Sequence, residues 1–171
     1  MKYTLFLITL FFAPLSFGNE VEIPNTNISF LAPKEFQSFS KEVIEAKWPA
    51  RRSPEWVIGS ESTSTSIAFG LRPNDISNIP LEKLKKHLKQ TMSRVGPGVE
   101  WLRTEVIDIN GKDWVYLEFT SNAINAEIHN ILLASSHNKQ MAMFNFNSTK
   151  EEFPVYESAL RKSITSIIFK E

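Results

Sequence analysis

The sequence predicts an α+β fold, an α/β/α sandwich in which a central antiparallel sheet is flanked by helices. Three patterns predict it. Two segments, 81–92 and 149–167, carry apolar residues at spacings of three and four, which is the signature of helices with one buried stripe. Between them run four strand-like segments in succession, and an Asn-Gly pair joins the first two. Those strands are apolar on both parities: Val115, Leu117 and Phe119 on one, Trp114 and Tyr116 on the other. Both sheet faces therefore require cover, and helices are the available layers.

In chain order, the first segment is a leader rather than part of the fold. Lys2 precedes an apolar run from Leu5 to Ala13, then Pro14 and a small-x-small end, Ser16-Phe17-Gly18. This is the layout of a secretory signal peptide cleaved after Gly18, and the run falls far short of the roughly 20 residues a membrane-spanning helix needs. The expectation is a leader over 1–18 and a single domain over 19–171, periplasmic or secreted and bacterial, with no stable membrane insertion once the leader is removed. Loss of Lys2 leaves 18 basic residues against 19 acidic ones. Such a balance argues against bulk nucleic-acid binding, which needs a basic excess. The chain has no cysteine, so disulfides, thiolate chemistry and a lipid-modified cysteine are excluded. The 153 remaining residues are enough for one self-supporting core.

Asn27 to Ala32 reads as a strand ended by Pro33, and Ser40 as the cap of a short helix through Lys47 closed by Pro49. Arg51 and Arg52 sit in a loop between Pro49 and Pro54. Trp56 to Gly59 and Thr65 to Arg72 are strands about a polar turn. Pro80 then opens a helix whose stripe is Leu81, Leu84, Leu88 and Met92 and whose other face carries five basic residues; Gly96-Pro97-Gly98 ends it. The four strands follow: Val99 to Ile109, Lys112 to Ser121, Ala126 to Ser135 and Gln140 to Asn147. Asn110-Gly111 predicts a tight type I′ hairpin, and His137-Asn138-Lys139 a second turn without glycine. Thr149 and Glu152 have the spacing of a capping box, ahead of a stripe of Phe153, Tyr156, Leu160, Ile164 and Ile167. Pro154 leaves two readings open: a helix that begins at the proline, or one bent near its start.

Several of these strings resemble the PsbP/DcrB-like superfamily: Ile28-Ser29-Phe30 through Ala32-Pro33, Ala46-Lys47-Trp48-Pro49, Thr65 to Phe69, Ile109-Asn110-Gly111-Lys112 and Phe144-Asn145-Phe146-Asn147. The resemblance spans nearly all of 19–171. It implies an α/β/α sandwich and, because most members bind proteins, a protein partner. Those members include a photosystem II extrinsic protein, a Ran-binding import factor, bacterial envelope forms and chaperones of secreted toxins.

No complete catalytic or metal-binding set is legible. There is no Gly-x-Ser-x-Gly elbow, His-Glu-x-x-His motif, calcium loop or P-loop, and no cofactor is inferred. One constellation stands out. Glu127 and His129 project from the same face of a strand, and neighbouring strands can bring Tyr116 and Glu118 alongside. The leading expectation is an exported non-enzymatic binding or adaptor domain, for instance an immunity-type or envelope accessory protein, with Arg51 and Arg52 in an exposed basic loop. The alternative is a small-molecule-binding protein or weak enzyme using the face around Glu118 and His129. A buried, pocket-lining position for those two would favour the alternative.

Overall fold

Seven strands hydrogen-bond into one wholly antiparallel sheet in the order β3-β4-β5-β9-β8-β7-β6. The computed structural model describes residues 18–48 and 53–170; residues 1–17 of the expected leader, and Arg51 and Arg52, lie outside the described residues. The sheet comprises β3 (Gln37–Ser38), β4 (Trp56–Gly59), β5 (Thr65–Arg72), β6 (Glu100–Ile109), β7 (Lys112–Asn122), β8 (Glu127–His137) and β9 (Gln140–Thr149). A smaller antiparallel sheet is made of β1 (Asn19–Glu22), β2 (Ile28–Ala32) and β10 (Ile168–Phe169). The helices are α1 (Lys41–Lys47), α2 (Leu81–Val95) and α3 (Phe153–Thr165).

Local chemistry accounts for most boundaries. The Ser40 hydroxyl accepts from Val43 N at the start of α1, satisfying one of the amides a helix start leaves unpaired. Asn110 and Gly111 both have positive φ, 52° and 82°, as a type I′ hairpin requires. The second hairpin also turns in this region, with Asn138 at 48° and Lys139 at 60°. Pro154 falls at the first turn of α3, where its missing N–H has no helical acceptor, so the helix begins there and the bent alternative drops out. The capping box is half formed. Glu152 N donates to Thr149 Oγ1 at 3.3 Å, but the Glu152 carboxylate turns away to Ser62 Oγ (2.6 Å) and Thr65 Oγ1 (2.7 Å), tying the β4–β5 turn to the start of α3.

Each face of the large sheet carries an apolar core. On one, Leu84 and Leu88 of α2 pack on Val115, Leu117, Phe119, Leu132 and Ala134. On the other, Leu160 and Ile164 of α3 share a core with Trp114, Ile131, Leu133, Phe144 and Phe146, joined by Ile28 and Phe30 of β2. This second layer is part helix and part sheet. Seven strands spaced about 4.8 Å apart span roughly 29 Å, and one helix, about 10 Å across, cannot cover that width. The small sheet closes the remainder. Each fully buried Leu, Ile or Phe contributes about 1.5–3 kcal/mol, so the two apolar cores dominate the stability of the sandwich.

Candidate functional site

Glu118 follows the apolar run Trp114 to Leu117 of β7, stands between Leu117 and Phe119, and is only 4% exposed. An ionised carboxylate in such a place requires partners. It has three. Tyr116, two residues back and therefore on the same face, donates its hydroxyl to Oε2 at 2.7 Å. His129 stands opposite Thr120 in the β7–β8 register; its Nε2 lies 2.7 Å from Oε1 across the diagonal. Arg161, from the third turn of α3, donates through Nη2 to Oε1 at 2.9 Å and through Nη1 to the Tyr116 hydroxyl at 3.1 Å. The same guanidinium pairs with Glu157, four residues earlier, at 2.8 Å.

The flanks hold the donors in place. The His129 ring stacks on Phe153 with centroids 3.5 Å apart and planes 11° off parallel. Arg103, opposite Glu118 in the β6–β7 register, lays its guanidinium 4.8 Å from the Tyr116 ring centre. The electrostatics follow from this geometry. Burial alone would raise the Glu118 pKa, but hydrogen bonds from His129, Arg161 and Tyr116 override it and hold the carboxyl at about 2. Tyr116 is pushed up to about 12, by burial first and then by the adjacent carboxylate. Desolvation opposes charge on Arg161, yet Glu118 and Glu157 keep its pKa above the ordinary arginine range.

Three of the residues expected together, Tyr116, Glu118 and His129, thus meet as expected. Glu127 does not join them. Its carboxylate takes Lys150 Nζ at 2.8 Å instead, because the turn after β9 brings that lysine beside the start of β8. Arg161 was not anticipated from the sequence. The available signal was Glu118 itself, a carboxylate in a strand too apolar to leave it unpaired, together with the Glu157–Arg161 spacing on the following helix. None of the Glu118 group lines any of the described cavities. With both carboxylate oxygens bonded to donors, the group ties α3 to the sheet. Among the described residues no cluster of His, Asp or Glu could hold a metal ion.

The architecture has relatives among solved structures. The cyanobacterial PsbP protein of Synechocystis superposes with a TM-score of 0.60 at 12% identity, covering 89% of this chain and 92% of that one. The fold is PsbP-like. LpqN of Mycobacterium tuberculosis, described as involved in cell envelope biogenesis, gives 0.60 at 11% identity over 84% of this chain and 83% of its own. A Pseudomonas aeruginosa protein of unknown function, PA94, gives 0.56 at 11% identity over 90% and 97%. No protein-family model matches the sequence, and no curated protein matches it. At such identities the likeness concerns the fold, and function has to be argued from sites.

Proposed function

We propose that this chain is an exported binding or adaptor domain of the bacterial cell envelope that works without catalysis, its partner being a protein. The observation that carries the reading is the state of Glu118. The carboxylate best placed for acid–base work beside a histidine is held ionised by three neighbours, whereas a general acid or base needs a pKa near the working pH. Export rests on the leader pattern of 1–18, and the envelope setting is in keeping with what the mycobacterial neighbour is described as doing. Among the described residues no helix is long and apolar enough to cross a membrane. Immunity to a secreted toxin is one concrete form of this role.

The test is partner capture from cell-envelope extracts with wild-type, Glu118→Ala, His129→Ala and Arg51→Glu/Arg52→Glu proteins, each checked for folding, alongside intact-mass analysis of the exported chain. The expected result is a mature chain starting at Asn19, capture retained by the folded fraction of the Glu118 and His129 variants, and capture weakened by charge reversal at Arg51 and Arg52. Capture lost in the first two variants while they remain folded, and kept in the third, would contradict the proposal.

A further inference from the structure

The two hairpin turns, Asn110-Gly111 and Asn138-Lys139, emerge side by side at one end of the large sheet and, with β10, enclose a cleft of about 590 Å³. That volume falls within the range of roughly 300–1,000 Å³ typical of small-molecule sites. Lys112, His137 and Lys139 line it together with Phe169, Ile109 and Ser136, and the lining contains no Asp or Glu. The chain as a whole is balanced in charge, so a cleft whose lining carries lysines and no carboxylate is a local departure from that balance. Neither lysine forms an ion pair among the described residues. Asp75 senses Lys139 at a distance, but its carboxylate is bonded to Ser77, at 3.0 Å to N and 2.6 Å to Oγ.

The apolar wall is braced by ring contacts. Phe169 stacks on the fully buried Trp114, centroids 5.8 Å apart and planes 25° off parallel, and has the His137 ring at 5.0 Å and Lys112 Nζ at 5.5 Å from its centre. A second observation concerns the backbone. The neighbouring turns have similar geometry, but where one uses Gly111 the other places Lys139, at a φ of 60°, a conformation that disfavours any residue bearing a Cβ. Lys139 therefore holds its side chain at the lip of the cleft in a backbone conformation that glycine adopts more readily.

We propose that this cleft binds a small organic oxyanion, a carboxylate or phosphate monoester on a flat apolar body, with Lys112 and Lys139 supplying the charge and Phe169 the apolar wall. This goes beyond the adaptor reading and does not depend on it. The test titrates the purified protein with benzoate and, separately, with phenyl phosphate at ionic strength held constant with chloride. Binding is followed by calorimetry and by the amide resonances of Lys112, Asn138, Lys139 and Phe169. The expected result is saturable binding of at least one probe, the preferred one reporting which oxyanion the site takes. Lys112→Gln and Lys139→Gln should each raise the Kd roughly tenfold, as loss of a charged contact does. Lys139→Gly should weaken binding equally while raising the denaturation midpoint, a combination that a merely structural lysine would not give. No saturable response to either probe, or an unchanged Kd in the lysine variants, would overturn the proposal.

Discussion

Glu118 stays ionised out of water only because Tyr116, His129 and Arg161 surround it, and that dependence makes it a source of pH-sensitive stability. Its folded pKa, about 2, lies below the ordinary 4.5. The folded state therefore gains from this group above the unfolded pKa, and the gain disappears as pH falls through the folded one. The shift corresponds to something on the order of 3 kcal/mol. Urea unfolding of wild type and Glu118→Gln between about pH 6 and about pH 2 should show a steeper acid loss in the wild type, concentrated below the ordinary carboxylate pKa. Parallel acid profiles would mean that the carboxylate is not held by its neighbours as the geometry implies.

Among the elements, α3 does most to join the layers. Leu160 is 1% exposed and sits on the stripe facing the sheet, so Leu160→Ala should cost about 2–5 kcal/mol by denaturant unfolding, the lost transfer energy adding to that of the cavity. A loss below about 1 kcal/mol would place the residue outside a packed core. The long strands, the Asn-Gly hairpin and both long helices were legible in the sequence, since each has strong periodicity or dedicated turn chemistry. The small sheet was less so. β2 is apolar and reads as a strand, but β1 is Asn-Glu-Val-Glu and β10 only two residues, too polar or too short to give a period. Ile167 illustrates the ambiguity. It continues the helical spacing from Ile164 and is buried as expected, yet the helix has ended at Thr165, and Asn110 Nδ2 donates to the carbonyls of Thr165 and Ile167 to fix the exit into β10. That bond spans 55 residues and more, and no local pattern announces it. Arg161 was hidden for the same reason: its partner is on a strand 43 residues away.

On the scale of the whole molecule, the sandwich is held by two apolar cores and, between the large sheet and α3, by polar ties that include the lock at Glu118. The fold tolerates sequences as different as those of its 11–12% identical neighbours, because hydrophobic patterning and turn chemistry specify the layers while leaving surfaces free to change. A structural role for the Glu118 lock separates the binding-domain account from a catalytic one. A double-mutant cycle on Glu118→Gln and Arg161→Met, read by urea unfolding at neutral pH, measures it most directly. The account predicts a coupling energy of about 1–3 kcal/mol between the two positions, as for residues sharing one buried hydrogen-bond network. Additive effects within about 0.3 kcal/mol would contradict it, since the carboxylate and guanidinium would then contribute nothing to each other in the folded state.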